Sequence, residues 1–152
     1  MAAEFSANAA QVVPANGSVI FTEAPVPCRQ GLIYHRDDTG LFRVANRFSR
    51  QNMTQCWRRN TRYEVAFHAN IAVPEGETIP EDGISLALAV DGEPDPSSTM
   101  IFVPAAVEDL GNVGADIVVV VPCMCTCTSV SVRNTSTIPV TVQNANILFD
   151  LA

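Results

Sequence analysis

Apolar and polar residues alternate along most of the second half of the chain. Residues 61–73 show this most clearly, with Tyr63, Val65, Phe67, Ala69, Ile71 and Val73 on one side and Glu64, Ala66, His68 and Asn70 on the other. Successive side chains of a strand point to opposite faces, so this period of two residues predicts a strand with one buried face. Residues 84–90 alternate in the same way and stop at Asp91-Gly92, a dipeptide typical of tight turns.

Other short segments predict further strands, at residues 18–22, 32–35, 41–45, 98–103, 116–121, 130–133, 140–142 and 145–151. The unbroken apolar run 117–121 indicates a strand buried on both faces, for example between a core and a neighbouring subunit. A short helical turn is expected only within residues 104–114. Eight to ten short strands joined by turn-rich segments favour an all-β, antiparallel β-sandwich over alternating strands and helices.

The chain of 152 residues has the length of one domain with its own core. Residues 1–17 are small and polar, so we expect a short extended N-terminal arm, followed by a single sandwich domain over residues 18–152. No stretch of about 18 apolar residues predicts a membrane span. The first residues show neither the basic nor the apolar region of a secretory signal.

Composition predicts association with another chain, because 47% of the residues are hydrophobic and only 16% are charged. The net charge is −7, there is no lysine, and eight of nine arginines lie within residues 29–62. Residues 75–116 contain ten acidic residues and no basic one. This segregation indicates either a solvated acidic face or two complementary patches that meet across a subunit interface. The acidic sum, with Asp37 and Asp38 interrupting the arginines, argues against a nucleic-acid partner.

The order of the strands carries a family resemblance. A tyrosine-bearing strand at 61–73 precedes an Ile-Ser-Leu-Ala-Leu strand at 84–90; a return strand, a valine-rich strand, a Ser-Val-Arg-Asn-Thr-Ser segment and a terminal strand follow. This order resembles the jelly-roll heads of the tumour-necrosis-factor (TNF) and C1q type over residues 18–152. It is similar to the bacterial and phage versions, such as heads of spore-surface collagen-like proteins and phage decoration or head-fibre proteins. The Gly-X-Y stalk of the collagen-like members is missing.

The resemblance implies a homotrimer in which apolar sandwich faces meet around a three-fold axis. The candidate interface residues are Tyr63, Phe67, Ile117, Val119, Val121 and Phe149. The implied function is structural: a trimer that decorates a phage capsid or forms a short head fibre, attached to a major capsid or other particle protein through residues 1–17. The alternative is a carbohydrate- or receptor-binding head on a virion, spore or bacterial cell surface.

Five cysteines are the most unusual feature: Cys28, Cys56, Cys123, Cys125 and Cys127. If residues 123–127 form a strand, the last three thiols project from one face, which suits a tetrahedral zinc site poorly. Three interpretations remain open. The thiols act as small buried hydrophobes, one or two disulfides tie Cys28 or Cys56 to the 123–127 segment, or the thiols cluster with or without a metal near a symmetry axis.

Trp57 is the only tryptophan, and Arg58 and Arg59 follow it directly. The three side chains are either a glycan- or partner-docking anchor, since tryptophan and arginine dominate binding hot spots, or a plug over one end of the core. A catalytic site is not expected, because the chain has only two histidines, His35 and His68, and no Gly-x-Ser-x-Gly motif. No cofactor is expected either.

Overall fold

A computed structural model describes residues 1–48, 59–123 and 128–152. These residues form strands, turns and one 3₁₀ turn at Pro96–Ser98, with no α-helix among them. The strands are β1 Ala2–Ala7, β2 Gln11–Val13, β3 Glu23–Val26, β4 Ile33–His35, β5 Phe42–Val44, β6 Thr61–Ala72, β7 Ile84–Val90, β8 Glu93–Pro94, β9 Met100–Phe102, β10 Gly111–Val121, β11 Thr128–Asn134 and β12 Val140–Leu151. The all-β prediction is confirmed.

The strands form two antiparallel sheets that face each other. The first sheet has the order β10-β6-β12-β1-β3, and β2 also pairs with β12. The second has the order β4-β5-β11-β7-β8, and β9 also pairs with β7. The two ends of the chain lie side by side in the first sheet, where Ala2 is opposite Asp150. This arrangement confirms the predicted antiparallel β-sandwich.

The alternation read from the sequence defines the core between the sheets. Its aromatic centre is Phe42, whose ring lies 4.9 Å from that of Phe5, 5.2 Å from Phe21 and 5.0 Å from Phe149, centroid to centroid. His35 stacks on the same ring at 4.4 Å. Tilted and edge-on contacts of this kind add to the free energy gained from burial alone. The rings therefore join the N-terminal, middle and C-terminal parts of the chain.

The structure corrects the expectation of a separate N-terminal arm. Residues 1–17 are extended, but Ala2–Ala7 pairs with β12 on one side and β3 on the other. Phe5 and the small side chains Ala3 and Ala7 are buried. Small side chains fit a core in which the opposing sheet contributes large rings such as Phe42. The first strand is therefore part of the core.

The side chain of Asn134 fixes the rest of this segment. It is fully buried, and its Nδ2 donates to the carbonyl of Val13 at 3.0 Å and of Ile138 at 2.9 Å. The Asn134 backbone N–H donates to the carbonyl of Gly17 at 2.8 Å. A buried amide with satisfied hydrogen bonds holds neighbouring segments in register. Residues 13–17 are therefore attached to the end of β11.

Two other local expectations are corrected. The helical turn expected within residues 104–114 does not form, and β10 begins inside that segment at Gly111. Residues 18–22 form isolated bridges, Ser18 to Arg133 and Phe21 to Thr39, in place of a continuous strand. The sequence also allows a short strand near Cys56, and that segment lies outside the described residues.

Candidate functional site

The outer face of the first sheet exposes apolar side chains at its β10 edge. Val118 is 59% exposed, Val120 is 44% exposed, and Leu148 on β12 is 38% exposed. Because valine occupies every position of residues 118–121, β10 presents β-branched side chains on both of its faces. The half-buried Ala66 lies opposite Leu148 and, two residues along β6 from the Glu64 that faces Val118, on the same outer face as the valines. We call Ala66, Val118, Val120 and Leu148 the outer patch.

The sequence predicted that residues 117–121 form a strand buried on both faces, and the structure shows which of the two faces the described residues cover. Val119 and Val121 are buried in the core, whereas the opposite side of the strand has no cover among the described residues. Among the described residues, the outer side of β10, the edge strand of the first sheet, therefore has no second covering layer.

Carboxylates surround the outer patch. Glu64 lies between Val118 on one side and Asp150 on the other, and Asp116 lies opposite Ala66. Like charges directly opposite one another on neighbouring strands lower stability. The described residues of this face offer one guanidinium, that of Arg62 beside Val120. The face therefore combines exposed apolar area with an excess of negative charge.

The part of this face away from the outer patch is polar and satisfies its own hydrogen bonds. Asn112 Nδ2 donates to Asn70 Oδ1 at 3.2 Å, and Asn70 Nδ2 donates to Asn144 Oδ1 at 3.2 Å. The ladder spans β10, β6 and β12, and Asn144, with φ of 55°, lies at a bulge where the β6–β12 register shifts. This part of the face is polar and hydrogen-bonds within itself, so the apolar outer patch is the part that gains more from being covered.

The structure corrects the predicted interface residues. Five of them point into the sandwich and are buried within the single chain: Tyr63, Phe67, Val119, Val121 and Phe149. Ile117 is partly buried and packs against the same core. These side chains form the core of the single chain and therefore cannot also contact a neighbour. Because alternation is strict, the residues one position away are the ones available to a neighbour.

Tyr63 has a structural role at the end of β6. Its Oη donates to the carbonyl of Ala45 at 2.6 Å, and its side chain is fully buried. Burial, followed by the nearby Cys28, raises the pKa of Tyr63 to about 12, while Arg47 acts in the opposite direction. The phenol is therefore a fixed hydrogen-bond donor over the physiological pH range.

Of the proposed docking residues, Trp57 and Arg58 lie outside the described residues, and Arg59 is exposed. Its guanidinium carbon is 5.3 Å from the centre of the Phe48 ring, and that of Arg47 is 4.7 Å from the same ring. Both are at cation–π distance. The side chain of Asn46 donates to the Arg59 carbonyl at 2.9 Å, which attaches this arginine to the sandwich.

Two of the five cysteines are described, and they differ. Cys28 is a half-buried free thiol, whereas Cys123 is buried and disulfide-bonded. Cys56, Cys125 and Cys127 lie outside the described residues. Within the part of the chain that is described, no group of three or more His, Cys, Asp and Glu side chains is arranged to hold a metal ion. A search of the same residues finds no helix able to cross a membrane.

Comparisons with known proteins place this architecture among solved structures. No family model and no curated protein matches the sequence. The chain is similar to the globular domain of zebrafish complement 1qA protein, with a TM-score of 0.62 and 13% identity over 97% of this chain and 92% of that chain. It is also similar to the Eiger TNF from S. frugiperda, with a TM-score of 0.63 and 13% identity over 100% and 92% of the two chains.

The fold is a TNF/C1q-like jelly roll. The likeness read from the order of the strands is confirmed at this level. At 13% identity the similarity establishes the fold alone, so the role of the outer-patch residues has to be inferred from their own chemistry.

Proposed function

We propose that the chain is a non-enzymatic head that assembles as a homotrimer through the outer patch of its first sheet. The observation that carries the proposal is the exposure of Val118 and Val120 on an edge strand, on the same outer face as Ala66 and Leu148. Single exposed apolar side chains are ordinary, but contiguous ones on a flat sheet favour a protein interface. The trimeric assembly is the one that the sequence resemblance implies.

Charge supports a heterologous contact of this kind. Around a three-fold axis, the patch of one copy meets a different surface of the next copy. Glu64 and Asp150 are opposite one another and have no ion pair with a described residue. Arg47 and Arg59 are exposed and belong to the same end of the sandwich as the end of β10, where the Asn46 side chain bonds to the carbonyls of both Arg59 and Val121. A neighbour's arginines at that end would offset the two carboxylates.

The test is the mass of the purified chain in solution at micromolar concentration, measured by size-exclusion chromatography with light scattering. The expected mass is three times that of one chain, 16.3 kDa. A stable monomer over a concentration series would remove the trimer from the proposal.

Within this proposal the head belongs to a larger particle, such as a phage capsid, a head fibre or a bacterial spore surface. Residues 1–17 are committed to the sandwich, so attachment to a major capsid or other particle protein would need a different surface. Antibody labelling of purified particles under the electron microscope tests this location. Regular labelling of a particle surface is the expected result, and absence of the protein from all such particles contradicts it.

A further inference from the structure

A groove of about 290 Å³ lies on the outer face of the second sheet, formed by the β4–β5 hairpin. Its lining residues are Tyr34, Arg36, Thr39, Leu41 and Arg43. Tyr34 lies directly opposite Arg43 in the hairpin. Arg36 is two residues beyond Tyr34, and Leu41 is two residues before Arg43, so alternation puts these four side chains on one face.

The other face of the hairpin is anchored in the core. His35 stacks on Phe42 with an interplanar angle of 19°, and Ile33 and Val44 are buried. Tyr34, by contrast, is 64% exposed. The strands that carry the groove are thus held rigidly from behind, while the tyrosine ring is free to receive a ligand.

The turn of the hairpin is also fixed. Thr39 Oγ1 donates to the carbonyl of Arg36 at 2.6 Å. The carbonyl of Thr39 accepts the backbone N–H of Phe21 at 3.0 Å and lies 2.9 Å from His35 Nε2. A groove that is already ordered loses little conformational entropy when it binds a ligand.

The two guanidinium groups of the groove have no polar partner in the described part of the chain. Neither the Arg36 nor the Arg43 side chain forms an ion pair or hydrogen bond with any described residue, although Asp37 and Asp38 follow Arg36 in the turn. A guanidinium offers parallel N–H donors that match the two oxygens of a carboxylate. The tyrosine beside Arg43 offers a flat apolar surface with a polar hydroxyl, which suits the apolar face of a sugar ring.

We propose that this groove binds a carboxylate-bearing saccharide. Arg43 and Arg36 bind the carboxylate, and Tyr34 stacks against the sugar ring. A polyanion such as a nucleic acid is disfavoured, because the chain carries a net charge of −7 and two carboxylates lie in the adjacent turn. The groove is on the second sheet and the outer patch is on the first, so ligand binding and trimer assembly are separate properties with separate tests.

The test is an array of oligosaccharides that end in sialic, glucuronic or galacturonic acid, each beside its counterpart with the carboxyl group reduced to an alcohol. The full chain is expected to bind at least one acidic saccharide about tenfold more tightly than its reduced counterpart. Arg43→Ala and Arg36→Ala should each weaken that binding about tenfold or more, and Arg43→Lys should restore it only in part, since lysine keeps the charge and loses the planar fork. Tyr34→Ala should weaken binding to the acidic and reduced sugars alike.

Arg29→Ala is the matched control, because Arg29 is exposed, lies outside the groove and changes the net charge by the same amount. It should leave saccharide binding unchanged. The proposal is overturned if no acidic saccharide is preferred, or if Arg29→Ala weakens binding as much as the groove variants do. It is also overturned if Arg36→Ala or Arg43→Ala dissociates the assembly, since the groove would then be occupied by a second copy of the chain.

Discussion

Replacing both exposed valines of β10 by aspartate should convert the assembly to monomers. The exposed parts of Val118, Val120 and Leu148 together amount to roughly 200 Å² of apolar surface, worth about 5 kcal/mol per copy if fully buried, at about 25 cal/mol per Å². Val118→Asp/Val120→Asp removes most of that area and places one new carboxylate opposite Glu64 and one opposite Arg62. A loss of about 4 kcal/mol per interface corresponds to about a thousandfold increase in its dissociation constant.

The assay is size-exclusion chromatography with light scattering on both proteins at the same micromolar concentrations. The double variant should elute with the mass of one chain, and far-ultraviolet circular dichroism should show that its strand content is unchanged. Both valines face outward, so the core is not altered. The milder Val118→Ser removes apolar area without adding charge and should weaken association to a smaller extent.

Ile101→Asp/Val103→Asp is the matched control. These two side chains are 63% and 60% exposed, and Ile101 belongs to a strand of the second sheet. The control variant should keep the mass of the assembly. The reasoning is refuted if Val118→Asp/Val120→Asp retains the wild-type mass, or if the control dissociates to the same extent.

Three further predictions concern stability and are checked by urea unfolding. Burial raises the pKa of Tyr63 from 10 to about 12, so the protonated phenol stabilises the fold below pH 10, and about 2–3 kcal/mol of stability is lost as the pH rises from 10 to 12. Tyr63→Phe should cost about 1 kcal/mol at pH 8 through the lost hydrogen bond and should abolish the loss of stability at alkaline pH. An unchanged dependence of stability on pH in this variant would contradict the prediction. Deletion of residues 2–16 should prevent folding, because it removes β1 and β2 from β12; a folded, soluble product would show that these strands are dispensable. Phe42→Ala should cost about 3–5 kcal/mol, whereas Leu41→Ala, at a side chain 45% exposed, should cost less than 1 kcal/mol; equal losses would argue against the aromatic centre.

Strands with strict alternation could be predicted from the sequence with nearly correct bounds. Residues 61–73 and 84–90 correspond to β6 and β7 because a face buried along its whole length imposes a period of two. The N-terminal strand could not be found in this way. Alanine is compatible with both a solvated arm and a closely packed strand, and the rings that decide the matter come from other parts of the chain.

The outer patch and the groove were harder to predict from the sequence than the strands were. Which side of the apolar run 117–121 faces the core depends on its pairing with β6, where Val119 lies opposite Tyr63. A shift of one residue would exchange the two faces. The groove likewise depends on register, since Tyr34 and Arg43 become neighbours only when the turn between them fixes their pairing. The signal for the groove in the sequence is that residues 34, 36, 41 and 43 occupy alternating positions on the two sides of the turn.

The most direct test of the outer patch as an assembly surface is an experimental structure of the purified protein at micromolar concentration, by crystallography or electron microscopy of the particles. Three chains around one axis, with Val118 and Val120 shielded from solvent by an adjacent chain, are the expected result. A solitary sandwich, or an oligomer whose contacts leave both valines in water, would contradict it.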